Sequence, residues 1–181
     1  DVFEEIGHGS VLASVRRGAG LMAARCGQPG RGEALCEAAL RFTDAIGDRA
    51  GSAQALNFLA VISRDTEDQL SALARYAEAL SHAGEVGELW ATCSALDGIA
   101  GVARRFGDAE LAVRLLACSG HLAKRSGYRP SLPERRIREA DLAALREQLP
   151  GRDFERAVAE GELMSEREAI SSALAFAERS A

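Results

Sequence analysis

Cys118 and His121 stand three residues apart in a segment with helical spacing, which places both side chains on one face. A thiol and an imidazole so placed could form a nucleophile and base, or half of a metal site. Either use needs an orienting group or further ligands, and the sequence marks none beside them. His82 and Glu85 flank a helix end, where a histidine interacts well with the helix dipole without any catalytic role. Carboxylates are plentiful, as at Glu4-Glu5, Glu67-Asp68 and Glu160 with Glu162. Pairs that cleave bonds must converge in a cleft, and adjacency in sequence does not show this. Gly7-His8-Gly9-Ser10 is glycine-rich, but no strand precedes it, and no GxxxxGK run ending in Ser or Thr is present to cradle a phosphate. Cys26, Cys36, Cys93 and Cys118 form no CxxC pair and no cluster, so they read as small buried apolar residues in a reducing compartment. The expectation is therefore no catalytic residue, no metal and no cofactor.

The elements that would position any site are helices. The chain has 181 residues, 47% of them apolar but only 5% aromatic, and is rich in alanine. Small side chains let helices approach closely, and no alternating run rich in Val, Ile, Thr and Tyr suggests a strand. A net charge of -5 argues against direct binding of nucleic acid, which needs a concentrated basic surface. The basic pairs Arg16-Arg17, Arg104-Arg105 and Arg135-Arg136 are dispersed among acids. No apolar run is long enough to span a membrane and no leader pattern opens the chain, so a cytoplasmic location is expected. The first residue, Asp1, suggests a piece of a longer polypeptide.

Residues 1–10 read as a linker or the end of a preceding helix. Helical spacing then predicts helices over 11–26, 32–46, 50–64, 67–83, 86–106 and 108–126, broken at Gly27-Gln28-Pro29-Gly30, Gly47-Asp48, Asp65-Thr66, Gly84 and Gly107-Asp108. Gly18 and Gly20 weaken the first of these and read as points of close packing. Such short connections make antiparallel pairs, and each pair must stack on another to bury its second apolar face. Aligning the second helices through Ala34, Ala72 and Ala112, and the first through Leu21, Leu59 and Ile99, gives separations of 38 and 40 residues. An internal repeat of this length marks a helical solenoid. Beyond Gly127, Ser131-Leu132-Pro133-Glu134 starts a helix over 134–148, a short helix follows over 154–160, and Ser165-Glu166-Arg167-Glu168 opens a last one. Both serine–glutamate spacings are capping boxes.

Leu59-Ala60 and Ile99-Ala100, the Gly107-Asp108 turn, and a small residue followed four later by Tyr76 or Leu116 resemble the tetratricopeptide repeat. Met22 where a small residue is expected, Asp65-Thr66 in place of a turn glycine, and the longer spacing are departures from it. The ending resembles the C-terminal region of bacterial signalling ATPases and transcriptional regulators of the LuxR and MalT kind, antibiotic regulatory proteins and adenylate cyclase-fused relatives. Leu115-Leu116, Glu134, Leu142, Leu145, Phe154, the Ala159-Glu160-Gly161 turn and the capped last helix carry that resemblance. It implies an all-α, right-handed solenoid of about three hairpins over 11–127 with a helical cap over 128–181, forming a single structural domain.

In such an array the first helix of each pair lines the concave side. Arg16, Gln54, Asn57, Arg64, Ser94, Asp97 and Arg104 are then the candidate ligand-facing residues, able to hold a peptide backbone or a carboxylate. The expected function is a non-catalytic sensor or protein-interaction module of a bacterial regulator. Its partner would be a protein, a peptide, a small effector or another domain of the same full-length chain, with neither nucleic acid nor membrane bound directly. Two other readings stand beside it: a self-association module forming a homodimer, and a small all-α enzyme using Cys118 and His121.

Overall fold

A computed structural model describes residues 2–180 of the chain, with side chains from residue 7 onward. Among the described residues there are nine helices and no strand: α1 (Val2–Arg25), α2 (Pro29–Ala45), α3 (Arg49–Asp65), α4 (Gln69–Val86), α5 (Leu89–Arg105), α6 (Ala109–Ser126), α7 (Leu132–Gln148), α8 (Gly151–Leu163) and α9 (Glu166–Ser180). The protein is all-α. Residues 2–10, expected as a linker or a helix end, form the first turns of α1, and the short helix expected over 154–160 extends to both sides as α8.

The connections follow a strict rule. A left-handed backbone residue recurs at positions 27, 47, 67, 87, 107 and 127, one every 20 residues. Five of these are glycines, for which positive φ carries no side-chain penalty, and the sixth is Glu67 at φ 65°. After four of them, at 47, 67, 87 and 107, the next residue caps the following helix. Asp48 accepts from the Gly51 N–H at 2.9 Å, Asp68 from Ser71 at 3.0 Å, Glu88 from Ala91 at 2.5 Å and Asp108 from Leu111 at 3.2 Å. These bonds satisfy N–H groups that a helix start leaves without partners. Two expected breaks shift accordingly. The break at Asp65-Thr66 lies one residue later, with Glu67 as its pivot, and α4 runs through Gly84 to close at Gly87. Because a left-handed non-glycine costs about 1–2 kcal/mol, Glu67→Gly is expected to raise the melting temperature. An unchanged or lower value would mean that the Glu67 side chain contributes more than its backbone costs.

The chain forms two compact units, Asp1–Ala91 and Thr92–Ala181. In the first, α1 packs along α2 and α3 along α4, with α2 and α1 also against α3. The α1–α2 crossing is tight: a β-carbon on Gly20 would lie 2.6 Å from the Cys36 sulfur and 2.8 Å from the Gly32 carbonyl oxygen. Gly20 is thus the close-packing point the sequence suggested, whereas Gly18 faces open space. Cys36, Leu59 and Ile62 form one core cluster with Ala24, Leu40 and Phe58 against it, and Ala53, Ala83 and Ala91 form another beside Trp90.

Burial follows a 40-residue register in α2, α4 and α6. Gly32, Cys36, Ala39 and Thr43 of α2 match Ala72, Tyr76, Ala79 and Ala83 of α4 and Ala112, Leu116, Ser119 and Ala123 of α6, all buried and 40 residues apart from copy to copy. The alignment through Ala34 is two residues out, because the small residue that packs in the first pair is Gly32 and Ala34 is exposed. The corresponding positions in the first helices are Arg17, Asn57 and Asp97.

In the second unit α8 makes the main contact with α6, while α7 and α9 contact it less. Gly161 of α8 rests directly on Arg114 and Ala117 of α6, leaving no room for a side chain. Phe106 and Phe176 stack obliquely with ring centres 6.3 Å apart. Both capping boxes form: the Ser131 N–H donates to Glu134 at 2.6 Å, and the Ser165 N–H donates to Glu168 at 2.8 Å.

Candidate functional site

The three equivalent positions Arg17, Asn57 and Asp97 each place a polar group inside their unit. Burying such a group is costly unless it is bonded, and each finds its partner on a helix beyond its own pair. Arg17 is 8% exposed; its guanidinium donates to Gln54 of α3 at 2.6 Å and to Ser14 at 3.1 Å. Burial lowers its pKa from the ordinary value, opposed by the Asp48, Cys36 and Glu88 charges. Asn57 is completely buried, and its amide donates to the Ala91 carbonyl of α5 at 3.0 Å, while its Oδ1 has no partner. The sequence reading that set Asn57 on an open surface is corrected here: the side chain is buried, and its amide is bonded to α5.

Asp97 is bonded from α7. The Arg138 guanidinium donates to its carboxylate at 2.9 and 3.1 Å, to the Ser119 hydroxyl at 3.3 Å and to the Leu116 carbonyl. It lies directly over Gly120, where a β-carbon would collide with it. Burial raises the Asp97 pKa above the ordinary carboxylate value, and Arg138 and Ser119 pull it back. One turn further along α7, Asp141 accepts from Arg104 at 3.0 Å and lies over Gly101. Helix α7 therefore lies across α5 and α6, close over Gly120, and is held by Arg138 and Asp141, which meet Asp97 and Arg104. Only Leu145 of α7 is fully buried.

The remaining candidates are scattered in their surroundings. Arg64 bonds to the adjacent Asp65 at 3.0 and 3.3 Å, and Gln54 accepts from Arg17. Arg16 and Ser94 are half-buried. Sequence reasoning missed Arg17, Arg138 and Asp141. A uniform 40-residue register selects Arg17, and the three-residue spacing of Arg138 and Asp141 marks one face of α7.

The other chemistry-bearing residues are also placed. Cys118 is buried with its sulfur 3.6 Å from the Met164 carbonyl, and burial pushes the thiol up to about 11. Cys36 rises to about 11 and Cys93 to about 12 for the same reason, the reverse of what activates a nucleophile. His82 meets Arg49 at 3.3 Å and Glu85 meets it at 3.4 Å, so both turn to α3 rather than to their own helix end. Gly7-His8-Gly9-Ser10 is a helical part of α1, with Phe42 lying against Gly9. The side chains of Glu4-Glu5 lie outside the described ones. An open depression of about 430 Å³ runs along α8 between Arg146, Phe154, Val158 and Glu162, with the Arg146 guanidinium 5.0 Å above the Phe154 ring. Among the described residues no three His, Cys, Asp or Glu side chains converge as metal ligands, and no helix is long and apolar enough to cross a membrane. No protein-family model, curated protein or solved structure matches the chain.

Proposed function

We propose that the chain is a tetratricopeptide-like module that binds a helix or peptide along the face of its first helices, within a larger bacterial signalling ATPase or transcriptional regulator in the cytoplasm. It would act without catalysis, as a sensor whose occupancy alters the arrangement of the domains it is joined to. The observation that carries this reading is the seating of α7. Two residues chosen as ligand-facing, Asp97 and Arg104, hold a helix through an arginine and an aspartate one turn apart. The 20-residue turn spacing and the 40-residue register support a right-handed solenoid of stacked hairpins, and the capped ending supports the regulator family. The bound class is then a helical segment carrying Arg-x-x-Asp, with α7 as its internal counterpart. Tethering gives α7 a high effective concentration, so a free competitor reaches the face only when α7 is weakened.

The test uses the full chain carrying Arg138→Ala and Asp141→Ala, with a labelled synthetic peptide of residues 131–149 added in trans. Saturable binding to this variant is expected, with none to the unaltered chain and none for a peptide carrying the same two substitutions. Absence of binding to the variant, with its helical content retained, would refute a helix-accepting face.

A further inference from the structure

The guanidinium of Arg138 ends in a pocket of converging acceptors. Asp97 of α5 offers both carboxylate oxygens, at 2.9 and 3.1 Å, and α6 offers the Ser119 hydroxyl at 3.3 Å and the Leu116 carbonyl. Ser119 donates its hydroxyl hydrogen to the Cys93 carbonyl at 3.4 Å, so it faces the guanidinium as an acceptor. Side chains in a helix tilt over the turn before them, so a side chain at position 120 would cover the Leu116 carbonyl. The residue there is Gly120, and a β-carbon on it would strike the guanidinium. The opening leaves the carbonyl's second lone pair, which the helix ladder does not use, within reach.

These features coincide in one copy of the 40-residue register. Where the third copy has Asp97, Ser119 and Gly120, the second has Asn57, Ala79 and Leu80, and the first has Arg17, Ala39 and Leu40. Ala39 and Ala79 are as buried as Ser119, so packing at that position asks for a small side chain, and the hydroxyl is an addition to it. Leucine at 40 and 80 shows that the register does not ask for glycine, which is also unfavourable inside a helix. The repeat therefore accounts for none of the three, whereas a bound guanidinium accounts for all of them.

We infer that Asp97, Ser119, Leu116 and Gly120 form a guanidinium-selective pocket, so that the segment this face accepts is chosen by an arginine and not by a lysine. The inference rests on the helix-accepting reading above and names what that face selects. A guanidinium is planar, weakly hydrated, and spreads five N–H donors in a fixed fork. One terminal nitrogen serves Asp97 and Ser119 while the other serves Leu116, so acceptors on two helices are met at once. An ammonium gathers its donors on a single nitrogen and holds its water more strongly. Placed at the carboxylate, it leaves the Leu116 carbonyl unmet.

The experiment uses the full chain with Arg138→Ala and reads amide exchange across residues 132–148. Ethylguanidinium chloride, which matches the end of the missing side chain, is expected to slow that exchange saturably by about tenfold, as one retained charge-assisted bond would give. Equal concentrations of ethylammonium chloride or sodium chloride are expected to leave it unchanged. Adding Asp97→Asn is expected to abolish the response, and Arg138→Lys to exchange at a rate nearer to Arg138→Ala than to the unaltered chain. If Arg138→Ala loosens the whole unit, the same salts are compared by the helical content they restore, since a ligand of the folded state draws the chain back to it. No response to ethylguanidinium, equal protection by ethylammonium, or a response that survives Asp97→Asn overturns the proposal, as does Arg138→Lys exchanging like the unaltered chain. All of these read the chain's own α7, whereas the helix-accepting reading stands or falls on capture of the 131–149 peptide in trans.

Discussion

Replacing Arg138 with alanine is expected to speed amide exchange across 132–148 by about a hundredfold, measured by hydrogen exchange with mass spectrometry. Removing one partner of a buried pair leaves the other charge uncompensated, at a cost of about 3–5 kcal/mol. The loss is bounded by the free energy that seats α7, since lifting the helix lets water reach Asp97. The side chains of Arg138 and Asp97 are only 17% and 24% exposed, so solvent screens this pair weakly while α7 is seated. The effect carries a pH signature. Burial already holds Asp97 above its ordinary pKa, and loss of Arg138 lets it rise further. The seated state then binds a proton more readily than the open one, so seating strengthens as pH falls and weakens as pH rises through the elevated value. The deficit of Arg138→Ala should therefore shrink on acidification from neutral pH, and adding Asp97→Asn should remove this dependence. Equal exchange in variant and unaltered chain would mean that Arg138 does not hold α7 and that its seat rests on Leu145, Leu142 and the Arg104–Asp141 pair.

Tyr76→Ala should destabilise the first unit by about 3–5 kcal/mol, the range for emptying a large aromatic site. Tyr76 is 1% exposed and heads the fully buried side chains by volume. The same register position holds Cys36 in the preceding copy and Leu116 in the following one, so its volume is matched by its own surroundings and no neighbour is built to collapse into the gap. The chain's single tryptophan, Trp90, meets Phe58 edge-on with ring centres 5.6 Å apart, so its fluorescence during urea unfolding reports on this unit. Tyr76→Phe keeps the ring and its packing and should cost much less than Tyr76→Ala. A loss for Tyr76→Ala no greater than that for Tyr76→Phe would contradict a close-packed core at this position.

Helix positions were largely legible from local chemistry. Gly47-Asp48 and Gly107-Asp108 place a left-handed residue and a cap side by side, and the two Ser-x-x-Glu spacings fixed the starts of α7 and α9. The turn at Glu67 was misplaced by one residue because its pivot is not glycine. The register of the first pair was lost because alanine at 34 matched Ala72 by type, while the buried equivalent is Gly32, small because Gly20 presses on it. The candidate site was legible in part. Asp97 and Arg104 were chosen as ligand-facing, but their partners Arg138 and Asp141 lay among the many charges of α7, and only the folded chain shows which face is turned inward. Asn57 looked like a surface residue because nothing in its neighbourhood announces a carbonyl 34 residues later.

The turn spacing of 20 residues meters the chain. A helix advances about 100° per residue, so inserting or deleting one residue inside a helix turns every later apolar position on it off its neighbour. The polar residues at 17, 57 and 97 stand 40 apart, and each meets a helix two places further along the chain, at Gln54, Ala91 and Arg138. A single-residue insertion inside one of these helices is thus expected to unseat the packing of everything beyond it on that helix.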